Sequence, residues 1–81
     1  METKELEKVT ESITEIWKTV LEIDEIDPNE SIFDMGGDSI IIVKSLNEIQ
    51  EQFGLEIDIT DVFEHDTVNQ LSELIIEKMN S

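Results

Sequence analysis

Apolar residues recur every three or four positions along three stretches of this chain, and that spacing restricts the fold more than any other feature. The first stretch predicts a helix from about residue 4 to residue 21, because at about 100° per residue its apolar side chains share one face. That face consists of Leu6, Val9, Ile13, Ile16, Trp17, Val20 and Leu21. Glutamates at positions 7, 11 and 15 fall outside it and are expected to face solvent.

The other two stretches predict helices at about 39–53 and 67–79. Gly54 follows the second helix, as expected just past a helix end. Thr67 and Gln70 have the spacing of a capping box at the start of the last helix. The predicted buried faces are Ile42, Leu46, Ile49 and Phe53 on one helix, and Val68, Leu71, Leu74, Ile75 and Met79 on the other.

The segments between these helices lack a helical period. Residues 22–38 contain Pro28 and a glycine pair, so they predict a long loop. Residues 55–60 alternate apolar and acidic side chains, but a strand without a partner is unstable, so an extended loop is expected there. The apolar side chains expected to pin the long loop are Ile23, Ile26, Ile32 and Phe33. The chain is therefore expected to be an all-α bundle and a single domain over residues 1–81.

Charge and composition restrict the partners. The 81-residue chain has 21 acidic and 5 basic residues, a net charge of −16, which repels nucleic acids and anionic membranes. Basic protein surfaces are the expected targets, with solubility alone as the alternative role of the acidic residues. No apolar run of about 18 residues is present, and Met1–Lys4 has no signal-peptide core, so a cytoplasmic location is expected. The chain is also expected to be a monomer.

The second helix carries more isoleucine than a buried face requires. Ile40 and Ile41 project more than about 100° from the centre of its predicted core face, and Val43 lies at the border. They lie beside a serine, so they predict an exposed apolar patch for partner docking, together with Lys44. The alternative is that the long loop folds back and covers them.

Ser39 is the residue in this region whose side chain is the clearest candidate for modification. It starts the second helix, where backbone amides lack partners and the helix dipole favours a phosphate. Gly36 and Gly37 are expected to adopt positive φ and to leave access to the serine, while Asp38 caps the helix. By these residues alone, an ordinary helix start explains the segment better than a modification site does.

The run Gly36-Gly37-Asp38-Ser39-Ile40 resembles the acyl and peptidyl carrier protein family. The resemblance continues through Leu46, Ile49, Phe53-Gly54, Asp61-Val62-Phe63, Thr67-Val68 and Leu71, and so covers nearly the whole chain. It implies a four-helix bundle with a short third helix at about 60–64. It also implies a 4′-phosphopantetheine arm on Ser39, transferred from coenzyme A by a phosphopantetheinyl transferase with Mg²⁺. Gly37 and Asp38 would flank the attachment site, and Met35 and Ile40 would lie at the partner interface.

The resemblance also implies a role without catalysis of its own. A carrier presents acyl or aminoacyl thioesters to an adenylating or acyl-loading enzyme and to downstream synthase enzymes. The glycine pair before Asp38-Ser39-Ile40 resembles carriers of nonribosomal peptide or hybrid peptide–polyketide synthesis. The strong acidity resembles discrete carriers of polyketide or fatty acid synthesis, which is the alternative.

Two other classes of function fit the residues less well. The acidic segments lack the alternating oxygen ligands of an EF-hand, so no metal site is expected. An unmodified adaptor that binds helices through an acidic, apolar face remains open. An enzyme is disfavoured, because the chain has no cysteine and its one histidine, His65, lies far along the sequence from Ser39 and fits a surface or capping residue better than a catalytic base.

Overall fold

The computed structural model describes residues 2–80, with side chains from residue 5; Met1 and Ser81 lie outside the described part. It contains four helices: α1 (Glu2–Leu21), α2 (Ser39–Phe53), α3 (Ile59–Glu64) and α4 (Val68–Met79). Residues 2–80 contain no strand. The prediction of an all-α, four-helix bundle with a long first loop and a short third helix is confirmed. The bounds of α2 are those that periodicity predicts, and the other helices begin one or two residues away from their predicted starts.

Two helices end with a residue in the left-handed region. Gly54 ends α2 with φ 65°, and its N–H donates to the carbonyl of Gln50 at 2.8 Å. Glu22 takes the corresponding place after α1 with φ 57°, and the N–H of Ile23 reaches back to the carbonyl of Lys18 at 3.1 Å. Glycine adopts this conformation freely, whereas glutamate does so at an energetic cost.

The segment after α2 is extended, as predicted, but shorter, because α3 begins at Ile59 rather than at residue 60. Ile57 is 4% exposed, and its N–H donates to the Oε1 of Gln50 at 2.9 Å. The N–H of Asp58 then donates to the Oδ2 of Asp61 at 3.1 Å, which fixes the first turn of α3. The loop is thus held by α2 on one side and by α3 on the other.

The core is formed by the predicted apolar faces, with changes at the helix ends. Ile42, Leu46 and Ile49 of α2 are buried, and Trp17 of α1 is fully buried. The apolar spacing predicts Leu6 and Met79 as core residues, but they are 38% and 41% exposed. Each lies near the free end of its helix, beyond the first or last residue that neighbouring helices bury. The full buried set is Val9, Ile13, Ile16, Trp17, Ile32, Ile42, Leu46, Ile49, Ile57, Val62, Val68, Leu71 and Ile75.

The long first loop is fastened to the junction between α3 and α4. The N–H of Ile32 donates to the carbonyl of Asp66 at 2.8 Å, and the Ser31 hydroxyl donates to the Asp66 Oδ2 at 2.6 Å. The N–H of Asn69 donates to the carbonyl of Pro28 at 3.1 Å. Ile32 is fully buried as predicted, so polar and apolar contacts together hold the loop that leads to Ser39.

Within residues 2–80, none of the helices combines the length and the apolar character that a membrane span requires.

Candidate functional site

The turn before Ser39 uses its two glycines for different reasons. Gly36 has φ +97°, a conformation that side chains rarely adopt. The prediction of positive φ at Gly37 is wrong; this glycine lies instead where the backbone passes close to Ile32. Its N–H donates to the Ile32 carbonyl at 2.8 Å, and a β-carbon there would lie 2.7 Å from the Cγ1 and carbonyl oxygen of Ile32. The turn is therefore packed directly onto the buried part of the loop.

Asp38 is the N-cap of α2, as its position predicts. Its backbone is extended, and its Oδ1 accepts a hydrogen bond from the N–H of Ile41 at 3.0 Å. Its carbonyl accepts from the N–H of Ile42 at 2.9 Å. Ser39 is consequently the first residue of the helix, one position beyond the cap.

Ser39 is exposed, and no residue of the described chain forms a hydrogen bond with its hydroxyl. The N–H groups of Ser39 and Ile40 likewise have no acceptor within residues 2–80, because the cap serves only Ile41 and Ile42. These two amides lie at the positive end of the helix dipole. An open hydroxyl beside two unused donors fits a phosphodiester on this serine.

His65 is engaged at another helix end. It is the C-cap residue of α3, and its Nδ1 lies 3.0 Å from the carbonyl oxygen of Asp61. Of the roles that the sequence leaves open for it, the structure places it in the capping role. In the described part of the chain, no group of three or more histidines, cysteines, aspartates or glutamates is arranged to hold a metal ion.

The predicted docking residues differ in exposure. Ile40 is 66% exposed and Val43 is 42% exposed, and Lys44 is also exposed. Ile41 is predicted to lie beside Ile40 on the surface, but it is half-buried and packs against the core. Met35 is half-buried in the same way. The surface next to Ser39 is therefore narrower than predicted, and it is formed mainly by Ile40, Val43 and Lys44.

This surface has a different charge from the rest of the molecule. From Ser39 to Asn47, α2 carries no acidic residue and one basic residue, Lys44, in a chain whose net charge is −16. The first acidic residue of the helix is Glu48. The exposed side chains of this part of α2 are therefore apolar, uncharged polar or, at Lys44, positive.

The apolar pattern does not predict one pair of exposed aromatic rings. Phe33 of the long loop is predicted to pin that loop in the core, but it is 41% exposed and stacks on Phe63 of α3. The ring centroids are 5.5 Å apart, and the planes differ by 10°. Phe63 directly follows the buried Val62, about 100° further round a short helix, and is 47% exposed.

Comparison with known proteins places these observations in a family. Residues 11–75, which include the whole turn and Ser39, match the family described as "Phosphopantetheine attachment site". The chain is 32% identical over 77 residues to polyketide synthase PksN of Bacillus subtilis and 32% identical over 65 residues to a linear gramicidin synthase of Brevibacillus parabrevis. These matches cover 95% and 80% of this chain but 1% of each relative.

The fold is also similar to a solved structure of comparable size. BlmI, a type II acyl carrier protein from Streptomyces verticillus involved in bleomycin biosynthesis, matches with a TM-score of 0.93 and 26% identity. The match covers 96% of this chain and 94% of BlmI. Ser39 is exposed at the start of α2 and lies inside the matched segment. The chain belongs to the phosphopantetheine attachment-site family and is a carrier protein of the acyl and peptidyl carrier type.

Proposed function

We propose that the Ser39 hydroxyl accepts a 4′-phosphopantetheine arm and that the chain carries acyl or aminoacyl intermediates on it. The observation that carries this proposal is the exposed Ser39 hydroxyl, which has no hydrogen-bond partner in the described chain and lies beside the two unused amides. The arm supplies a terminal thiol that this cysteine-free chain lacks, and that thiol holds cargo as a thioester.

The attachment reaction needs an enzyme to activate the serine. The Ser39 oxygen would attack the phosphorus of coenzyme A that bears pantetheine, forming a phosphodiester as the pyrophosphate bond breaks and adenosine 3′,5′-bisphosphate leaves. A phosphopantetheinyl transferase with bound Mg²⁺ would take the serine proton, since this chain places no base against Ser39 within residues 2–80. Ser39 is therefore a substrate group in this proposal, and catalysis is assigned to the transferase.

The glycine turn and the N-cap of α2 contribute to this reaction by positioning Ser39. Gly36 and Gly37 have no side chains that could block the transferase from the Ser39 hydroxyl. The contact of Gly37 with Ile32 fixes the position of the turn that leads to this hydroxyl. Asp38 holds the first turn of α2 closed, so the serine is presented on a formed helix.

Docking follows from the charge pattern. Net charge steers the chain toward basic partner surfaces, with an attraction that falls as salt rises. At contact, Ile40 and Val43 offer apolar area and Lys44 offers a positive group, with the half-buried Met35 and Ile41 behind them. Such a small patch favours weak and rapidly reversible binding, which a carrier needs to move between a loading enzyme and later synthase enzymes.

Nonribosomal peptide or hybrid peptide–polyketide synthesis is the pathway class that we propose. The similarity to segments of PksN and of the linear gramicidin synthase supports it, as does the glycine pair before the serine. The TM-score of 0.93 to BlmI, a type II acyl carrier protein of which the match covers 94%, favours a discrete acyl carrier as the second candidate. A single domain over residues 1–81, a monomeric state and a cytoplasmic location complete the proposal and remain predictions.

Intact mass after incubation with coenzyme A, Mg²⁺ and a broad-specificity transferase tests the proposal. We expect a gain of one phosphopantetheine on the wild-type chain and none on Ser39→Ala. Ser31→Ala is the matched control, since Ser31 is a loop serine engaged with Asp66, and it should still be modified. A folded, unmodified wild-type chain that gains no mass would overturn the proposal and favour the unmodified adaptor.

Cargo loading separates the two pathway classes. The modified chain would be offered to an adenylating enzyme with an amino acid and, separately, to an acyltransferase with malonyl-coenzyme A. Aminoacyl thioester formation supports the peptide or hybrid class, and loading by the acyltransferase alone supports the acyl carrier.

A further inference from the structure

One residue at the junction between α3 and α4 is bonded to two consecutive residues of the long loop. The Oδ2 of Asp66 accepts the hydroxyl of Ser31 at 2.6 Å, and its backbone carbonyl accepts the N–H of Ile32 at 2.8 Å. Asp66 and Ser31 are both half-buried, so water competes less for their hydrogen bond than it would at a fully exposed site. Asp66 therefore holds the loop through its side chain and through its backbone.

The loop residues that follow form a unit closed by its own hydrogen bonds, which we call the 31–37 turn. The backbone N–H groups of residues 33–37 all donate within this turn, at 2.8–3.3 Å. Three of these hydrogen bonds end on Ser31, one on its hydroxyl oxygen and two on its carbonyl. Ser31 thus caps the turn as a serine caps a helix, and it does so with the same hydroxyl that donates to Asp66.

Ser39 lies between two fixed points of the backbone. On one side, Gly37 is bonded to Ile32, and Ile32 is bonded to Asp66. On the other side, Ile42 is fully buried in the core. The residues between Gly37 and Ile42 are the N-cap and the first turn of α2, and helix ends fray because their amides lack partners within the helix. The orientation of the Ser39 hydroxyl therefore depends on both fixed points.

Other contacts hold an earlier part of the loop. The N–H of Asn69 donates to the carbonyl of Pro28 at 3.1 Å, and the Asn69 Nδ2 donates to the Oδ1 of Asn29 at 2.7 Å. Both contacts lie before Ser31 in the chain. Loss of the Asp66 side chain therefore leaves the loop attached to α4 and acts mainly on the 31–37 turn.

We propose that Asp66 is a positioning residue for transfer of the arm to Ser39, acting through Ser31 and the turn that Ser31 caps. This role rests on the proposed function. The buried side chain of Ile32 remains as an anchor when the carboxylate is removed, so the turn is loosened rather than released. A looser turn lets the start of α2 open more often, and the Ser39 hydroxyl then spends less time in the geometry that transfer requires.

Single-turnover kinetics, with the transferase in excess over the carrier, separate the rate of transfer from the binding of the carrier. Asp66→Ala should lower the maximal rate of transfer about three- to tenfold. The transferase concentration that gives half of this rate should change less than about twofold, because the exposed Ile40 and Val43 remain available for docking. Asp66→Asn keeps an oxygen that accepts from Ser31, so its maximal rate should lie within about twofold of wild type.

Thr67→Ala is the matched control for stability. Thr67 is the next residue of the same junction, and its hydroxyl oxygen caps α4 by accepting the N–H of Gln70 at 3.0 Å. The variant loses one hydrogen bond, as Asp66→Ala does, but that bond lies within the first turn of α4. Its maximal rate of transfer should stay within about twofold of wild type at a temperature where urea denaturation shows all variants to be folded.

Amide hydrogen exchange reports on the turn without any transferase. The N–H groups of Gly37 and Gly54 each donate to a backbone carbonyl at 2.8 Å, one before α2 and the other after it. Asp66→Ala should speed exchange at Gly37 by about threefold or more relative to Gly54. Thr67→Ala should change the exchange of the two glycines alike.

Ser31→Ala removes the other partner of the hydrogen bond. It should still gain one arm by the end of the reaction, but at a lower rate than wild type. The double variant Ser31→Ala/Asp66→Ala should be no slower than Ser31→Ala alone, because the bond between the two side chains is lost only once.

Four results would overturn the positioning role: a wild-type rate for Asp66→Ala, equal slowing in Thr67→Ala, no recovery in Asp66→Asn, or unchanged exchange at Gly37 in Asp66→Ala. In each case the wild type is still modified, and the carrier proposal stands. If the folded wild type gains no mass, the carrier proposal fails and the positioning role fails with it.

Discussion

A β-carbon at Gly37 would lie 2.7 Å from both the Cγ1 and the carbonyl oxygen of Ile32. Ile32 is fully buried, and its N–H is bonded to the carbonyl of Asp66 at the junction of α3 and α4. The residue two positions before Ser39 is therefore packed against a residue that is anchored to another part of the bundle. The location of the serine depends on a contact between the loop and the core as well as on α2 itself.

Replacing Gly37 with alanine should displace the turn. Overpacking of this kind costs about 1–3 kcal/mol, and here one of the two close atoms is backbone and cannot rotate away. We expect Gly37→Ala to lower the free energy of unfolding by that amount in urea denaturation and to slow phosphopantetheine transfer to Ser39.

Asp34→Ala is the control for this prediction, because Asp34 is an exposed residue of the same loop. Its free energy of unfolding should change by less than about 0.5 kcal/mol. The double variant Gly37→Ala/Ile32→Ala removes the side-chain clash but keeps the carbonyl clash, so it should not recover wild-type transfer. Full recovery would show that the backbone contact has no role.

The contribution of the N-cap of α2 to the free energy of unfolding can be measured by replacing Asp38. Asp38→Ala removes the acceptor of the Ile41 N–H and should lower the free energy of unfolding by about 1 kcal/mol. Asp38→Asn keeps a capping oxygen and removes the charge, and asparagine is as good an N-cap as aspartate, so stability should stay close to that of wild type. Urea denaturation of the three proteins separates the two effects, and an equal loss in both variants would mean that charge rather than capping matters here.

The fold is largely predictable because its helices have complete local signals. The helix Ser39–Phe53 has a capping aspartate before it, a 3.6-residue apolar period within it and Gly54 after it, so both ends follow from neighbouring residues. Spacing alone likewise places Trp17 and Ile49 in the core, where the structure has them.

The parts that are not predictable depend on contacts between distant residues. Periodicity gives Ile41 an angle on α2, but whether a side chain at that angle is covered depends on how other segments pack around it. The contact between Gly37 and Ile32 and the stack of Phe33 on Phe63 join a loop without any period to other parts of the chain. The position of Ser39 at the helix start follows from its neighbours, whereas the two unused amides become apparent only with the hydrogen bonds of the cap.

Glu22 offers a stabilising change away from Ser39. A φ of 57° destabilises the folded state of a non-glycine residue by roughly 1–2 kcal/mol. Glycine avoids this strain, but its greater freedom in the unfolded chain offsets part of the gain. We expect Glu22→Gly to raise the free energy of unfolding by about 0.5–1 kcal/mol and to leave transfer to Ser39 unchanged. Glu22→Ala removes the same charge but keeps the strained backbone, so it should stabilise less; equal gains in both would assign the effect to charge.

Salt should stabilise this chain. Twenty-one acidic residues against five basic ones repel each other more in the compact state than in the unfolded one, and ions screen that repulsion. We expect the melting temperature to rise between roughly 0.01 and 0.15 M NaCl, by about 4–8 °C for each kcal/mol gained. Calorimetry at several salt concentrations tests this, and a fall in melting temperature over that range would contradict the role assigned to the acidic residues.

Attachment of the arm should leave a specific pattern in the amide spectrum. A phosphodiester on Ser39 lies beside the N–H groups of Ser39 and Ile40, which have no acceptor within residues 2–80. The N–H groups of Ile41 and Ile42 already donate to Asp38 and so have less to gain. We expect modification to shift the amide protons of Ser39 and Ile40 downfield and those of Ile41 and Ile42 much less, in ¹⁵N spectra of the two forms. Equal shifts along the first turn would mean that the phosphate displaces the Asp38 cap rather than using the free amides.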